Sequence, residues 1–153
     1  MPGLFAEFQT DPKLEQEGVL FTYTGGDGKP IFRVKIARQG GRNKNYDKVR
    51  EEVTSPYRRL KSLSDEMKET IALECFAQGI IVKNSWETYV PGEGETEGKF
   101  VAGIETATGI KPATPETIVQ VMRALPDLYG TLLMEAMNAD NYRFVALEQD
   151  AKN

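Results

Sequence analysis

Residues 18–37, GVLFTYTGGDGKPIFRVKIA, hold two runs of alternating side chains around a glycine-rich centre. Val19, Phe21 and Tyr23 alternate with Leu20 and Thr22, and Phe32, Val34 and Ile36 alternate with Arg33 and Lys35. A side-chain period of two is that of a strand with one buried face, and a short Gly- and Asp-containing connection between two such runs is hairpin chemistry. The glycines and Lys29 also invite comparison with a phosphate-binding loop. That loop needs a Ser or Thr after its lysine and a helix beyond it, whereas Lys29 is followed by Pro30 and a strand. The stretch therefore reads as a β-hairpin, and two strands alone are only marginally stable, so the ribbon must pack on something else.

Outward from the hairpin, LFAEF at residues 4–8 reads as a third strand. TDPKLEQEG at 10–18 reads as a polar connection in which Pro12 limits any helix before it. Downstream, NYDKVREEV (45–53) is an expected helix, with a break near Thr54 or Ser55 because the residue before Pro56 is pushed from helical geometry. SPYRRLKSL (55–63) is expected to restart it. The clearest helix starts at Ser64, an N-cap followed by Asp65 and Glu66 at the positive dipole end. Its stripe of Met67, Ile71, Cys75, Phe76 and Ile80 runs to about Val82 and reads as core.

PGEGETEGK (91–99) is an expected flexible acidic loop, too poor in apolar area to offset the entropy of ordering. FVAGIETATGIK (100–111) reads as one short strand. In ATPETIVQVMRAL (113–125) Thr114 is the cap, Pro115 takes the first helical position, and Ile118, Val119, Met122 and Leu125 form a face. After Pro126 a last helix begins near Asp127 and carries Leu128, Leu132, Leu133, Ala136, Met137 and Phe144 towards the C-terminus. If that helix is regular, Tyr142 and Phe144 lie about 200° apart around its axis. The expected fold is α+β: a single domain spanning residues 1–153, mostly helical, with a small N-terminal antiparallel sheet of two to three strands packed on four to five α-helices.

Composition narrows the chemistry. The 153 residues are 40% hydrophobic and 27% charged, and no apolar run reaches the roughly 20 residues of a membrane-spanning helix. MPGLFAEFQT has neither a basic leader nor a continuous apolar segment, so the expected location is the cytoplasm. Histidine is absent, which removes the commonest general base and metal ligand together. Cys75 is the only cysteine, so an internal disulfide or a Cys-based metal cluster cannot form, and its apolar neighbours suggest a small buried side chain. No catalytic residue, cofactor site or metal site is expected.

The net charge of −4 conceals an asymmetry. Lys29 to Lys61 holds 11 Lys and Arg against 3 acidic residues, leaving 8 basic and 20 acidic elsewhere, or about +8 against −12. Such polarity favours self-association or an acidic partner at a screened range of about 8 Å, unless the charges interleave on the folded surface. FRVKIARQGGRNKNYDKVR (32–50), with Tyr46 for stacking, also allows a nucleic-acid-binding reading. Net acidity of the whole chain opposes it. The single Trp86, in IIVKNSWETYV, is either a partner anchor or the closure of one end of the core.

The order of these signals resembles a known family. AEFQTDPKLEQEGV, FRVKIAR, NKNYDK, SPYRRL, the Ser-Leu-Ser-Asp-Glu helix entry, the lone Trp86 and the terminal NYRFVALEQDAKN are together similar to the tail assembly chaperones of long-tailed bacteriophages, over nearly the full chain. The resemblance implies a non-enzymatic protein that binds the long helical tape measure protein before the tail tube polymerises around it, and is absent from the finished virion. It also implies a longer product made by programmed frameshifting, whose extension recruits the tail tube protein. Ala151, Lys152 and Asn153 can be encoded with the slippery run A AAA AAC. Candidate contacts are Arg33, Lys35, Arg38 and Arg42 on the basic side, and Trp86, Tyr142 and Phe144 as aromatic anchors. The alternative is a structural tail or connector subunit retained in the virion.

Overall fold

The computed structural model describes residues 3–94 and 96–144. The hairpin is present as β1 (Val19–Thr24) and β2 (Pro30–Ile36), antiparallel, with Val19 opposite Ile36 and Tyr23 opposite Phe32. Its turn closes on itself: the Gly25 N–H donates to the Lys29 carbonyl at 2.9 Å, and the Lys29 N–H donates to Asp27 Oδ1 at 2.9 Å. Gly28, at φ +81°, takes the left-handed conformation that such a turn needs and that a side chain would resist.

The sheet continues beyond the hairpin. β3 (Glu87–Val90) pairs antiparallel with β2, and β4 (Lys99–Ala102) with β3, in the order β1-β2-β3-β4. Residues 100–111, read as one strand, instead finish β4 and then form a small hairpin, β5 (Ile104–Thr106) and β6 (Gly109–Lys111). Gly103, at φ +123°, makes the corner between β4 and β5; a Cβ there would lie 2.7 Å from the Lys111 carbonyl oxygen. The acidic segment Pro91–Gly98 links β3 to β4, and Lys99 opens β4.

Among the described residues six helices complete the α+β fold: α1 (Gly3–Phe8), α2 (Pro12–Glu17), α3 (Lys44–Thr54), α4 (Asp65–Gly79), α5 (Pro115–Ala124) and α6 (Pro126–Met137). The N-cap hydrogen bonds expected at Ser64 and Thr114 are made, to the N–H groups of Met67 and Thr117 at 3.2 Å each. The inner face of β2, with Phe32, Val34 and Ile36, packs with Leu73, Phe76, Ala77 and Ile80 from α4 and its end. Ile118, Val121 and Met122 of α5 and Leu132 and Ala136 of α6 complete the core, each large side chain contributing about 1.5–3 kcal/mol by leaving water. A smaller cluster joins Val49 and Val53 of α3 to Cys75 of α4.

Four local expectations are corrected. Leu4–Phe8 is helix α1, not a strand: Leu4, Phe5 and Phe8 follow helical rather than alternating spacing, and all three are exposed. The polar connection contains α2, because Asp11 accepts the Lys13 N–H at 2.9 Å as N-cap and Pro12 occupies the first turn. SPYRRLKSL makes only a single 3₁₀ turn, Ser55–Tyr57, since no residue of that turn is buried to sustain more. α4 ends at Gly79, three residues early, because the chain then runs extended beside β2, with Ala37 N–H to Ile80 O at 2.8 Å and Val82 N–H to Lys35 O at 3.0 Å.

The last helix is also shorter than its apolar pattern suggests. α6 stops at Met137, Ala139–Tyr142 forms a 3₁₀ turn, and Phe144 is therefore not on the helix. The Asp11 N–H donates to the Tyr142 carbonyl at 2.7 Å, and Thr10 pairs with Arg143 as an isolated β-bridge, so the end of the described chain is tied to its start. The frameshift reading at Ala151–Asn153 lies outside the described residues.

Candidate functional site

Among the described residues an apolar groove of about 550 Å³ opens at one end of the core. Its floor comes from the sheet. Tyr23 stacks on Phe32 with centroids 5.7 Å apart and planes 8° from parallel, and Phe32 stacks on Trp86 at 4.9 Å and 14°. Strand alternation places Tyr23 and Phe32 side by side on one face, opposite each other in register.

Trp86 arrives by a different route. Asn84 takes φ +61°, a conformation Asn tolerates better than most residues, and the Ser85 hydroxyl donates to the Val82 carbonyl at 2.6 Å to close the bend. The Gly103 N–H then donates to the Trp86 carbonyl at 3.0 Å, and the buried Thr88 hydroxyl donates to Gly103 O at 2.9 Å, fixing the start of β3 against the β5–β6 hairpin. The indole is only 4% exposed.

The helices supply the opposite wall. Val121 and Ala124 of α5 and Leu128 of α6 face the groove, and Leu125 stands between the two helices. Pro126 forbids helical geometry at Leu125, which adopts φ −127° and ψ 74°, ending α5 and starting α6 at one residue. Expelled from the α5 face, Leu125 is 51% exposed at the groove rim, where Tyr23 is 41% and Ile31 43% exposed. Ile104 closes the base, and the carboxylates of Glu105 and Asp127 belong to the lining. The arrangement can receive apolar side chains and pair with cations beside them.

The candidate contact residues are scattered. Arg33 and Lys35 lie, as alternation requires, on the sheet face opposite Phe32 and Val34. Arg33 is spoken for: its Nε meets Glu87 Oε1 at 2.7 Å and its Cζ lies 3.9 Å above the Phe100 ring. Lys35 is exposed. Arg38 is largely committed to Glu15, whose carboxylate is fully buried in α2. Glu15 Oε2 accepts the Arg42 N–H at 2.6 Å and Arg38 Nη1 at 3.3 Å, and Oε1 accepts the Thr10 hydroxyl. Burial pushes the Glu15 carboxyl up, but these donors and the Arg38 charge outweigh it and hold the group below its ordinary range. The Arg42 side chain is exposed.

Of the aromatic anchors, Trp86 lines the groove, whereas Tyr142 has no accessible surface and is withdrawn as a contact residue. Its hydroxyl donates to the Ile36 carbonyl at 3.1 Å, and burial raises the phenol far above its ordinary pKa. It clasps the chain to β2. Phe144 lies beyond the 3₁₀ turn and is 37% exposed. The rim residues Leu125 and Ile31 are new to the site; the Leu-Pro pair at 125–126 was the signal that could have flagged the first.

Among the described residues no three His, Cys, Asp or Glu side chains gather where a metal ion could sit, and no helix is long and apolar enough to cross a membrane. No family model, no curated protein and no solved structure matches this chain.

Proposed function

We propose that the protein is a non-enzymatic assembly chaperone that holds an apolar helical segment of a partner in the groove between the sheet and α5–α6, and that the partner is a phage tape measure protein. The observation that carries this reading is the open groove itself, with Tyr23, Ile31 and Leu125 exposed at its rim above the stacked Phe32 and Trp86 rings. A bare apolar helix stripe aggregates in water, and a groove of this kind shields such a stripe by taking its side chains at helical spacing. Exposed side chains at an opening this size cost solubility in isolation, so a partner is the natural account of them.

In the same reading a frameshifted longer product recruits the tail tube protein. The resemblance in sequence order supports the phage assignment, and the groove supports the binding mode.

The test is co-expression with the tape measure protein of the same phage, followed by sedimentation of the lysate. The wild-type chain keeps the tape measure protein in the supernatant, and Leu125→Asp, at an exposed position, folds normally but lets it pellet. Equal protection by Leu125→Asp overturns the groove as the binding site. Many copies of the chain in the mass spectrum of purified virions overturn the chaperone and favour the structural subunit.

A further inference from the structure

A second cleft lies between α3, α4 and α6. It encloses about 290 Å³ and has a floor of Ile71, Cys75 and Phe76, with Tyr129 and Leu133 of α6 along one wall. The Phe76 ring meets Tyr129 edge-on at 5.0 Å and 71°, so the two helices touch there and part above it. α3 closes the third side with Tyr46 and Arg50.

Two observations say what belongs in it. The charged side chains of the lining are Arg50 and Lys68, one from each flanking helix, and no carboxylate is among the lining residues. Both cations are exposed, and neither forms an ion pair with another described residue. The Gln39 side chain also lines the cleft, and its Nε2 donates to the Tyr46 hydroxyl at 3.3 Å. Apolar floor and cationic rim together fit a segment that is apolar on one side and acidic at its flanks.

We propose that this cleft is a second docking site, taking an acidic amphipathic helix of a partner protein whose carboxylates meet Arg50 and Lys68. The complement of charge is specific. The groove described above has Glu105 and Asp127 in its lining, so the two recesses select occupants of opposite sign. The proposal stands independently of the tape measure reading.

Fluorescence anisotropy tests it with a labelled peptide of about four helical turns, leucines at i, i+3, i+4 and i+7 and glutamates elsewhere. The wild-type chain is expected to bind it, more weakly as salt rises. The double variant R50E/K68E, altered only at exposed positions, should lose roughly tenfold or more in affinity, since attraction becomes like-charge repulsion. R58E/R59E, with cations outside the cleft, and Leu125→Asp, in the other groove, should bind as wild type does. If a fold defect is seen in R50E/K68E by circular dichroism, R50Q/K68Q takes its place with a smaller loss expected. No binding by the wild-type chain, or equal binding by R50E/K68E, overturns the proposal. A peptide-free dimer that R50E/K68E breaks overturns it too, in favour of a second copy as occupant.

Discussion

Replacing Glu15 by Gln tests whether the buried carboxylate organises the junction of α2, β2 and the loop before α3. The carboxylate accepts the Thr10 hydroxyl, the Arg42 N–H at 2.6 Å and Arg38 Nη1 at 3.3 Å. A carboxamide has one acceptor oxygen, so it keeps the bond to Thr10 or the bonds to Oε2, and turns an N–H pair towards a donor on the other side. Hydrogen bonds to a charged group are worth about 1.5–3 kcal/mol each, and breaking a buried ion pair costs about 3–5 kcal/mol. The Arg38 side chain keeps 22% of its surface in water, which puts the loss at the low end, about 3 kcal/mol. In a chain of 153 residues that lowers Tm by roughly 6–12 °C. The pH dependence adds a second requirement. The folded-state pKa of Glu15 is depressed, so its contribution is present above the unfolded carboxylate value of about 4.3 and is lost as pH falls through the folded one. Urea unfolding of wild type and Glu15→Gln at pH 7 and pH 3 should show a gap that narrows in acid. A gap below about 1 kcal/mol at pH 7, or one that persists undiminished at pH 3, would refute the account.

Three further outcomes are expected. Asn43→Ala should destabilise by about 2–4 kcal/mol in denaturant titration, because Asn43 caps α3 and its Nδ2 donates to Arg38 O at 2.9 Å and Gly79 O at 3.1 Å, two carbonyls left bare by the change. Gly79→Ala should also destabilise, by about 1–3 kcal/mol, although alanine favours helices: its Cβ would stand 2.9 Å from Tyr46 Cδ2 and 3.2 Å from Tyr46 Cα, and a melt higher than wild type would contradict the packing of α3 on α4. The Cys75 thiol, raised above its ordinary value mainly by burial, should resist Ellman's reagent in the folded chain and react at once in urea, and its contribution to stability should fall as pH rises past the unfolded thiol pKa of about 8.5 towards the folded one. Rapid labelling under native conditions would show α3 and α4 parting there.

The elements read best were those whose signal is local. The hairpin follows from side-chain alternation around Gly25–Lys29, and the starts of α4 and α5 follow from Ser64 and from Thr114 with Pro115, because caps act within one turn. β3 was missed because a four-residue strand such as Glu87–Val90 is set by its pairing with β2, a partner more than fifty positions away, and not by its own pattern. α1 and α2 are short enough that propensity says little, and α2 persists because Glu15 is held by donors from three other positions. The site shows the same division. Trp86 was legible as a rare large aromatic, but its stacking on Phe32 was not, and Arg33 and Arg38 read as free surface charge when Glu87 and Glu15 stand against them. Tyr142 was named as an anchor and is one, for its own chain rather than for a partner.

The chain has one tryptophan, and that indole is stacked beneath the larger groove rather than placed at random in the core. The protein thus contains a built-in optical gauge. An occupant of the groove packs beside the sole indole emitter and changes its surroundings, whereas the lining of the second cleft excludes that ring. A shift of that emission therefore marks the larger groove and not the second cleft, in an unlabelled sample.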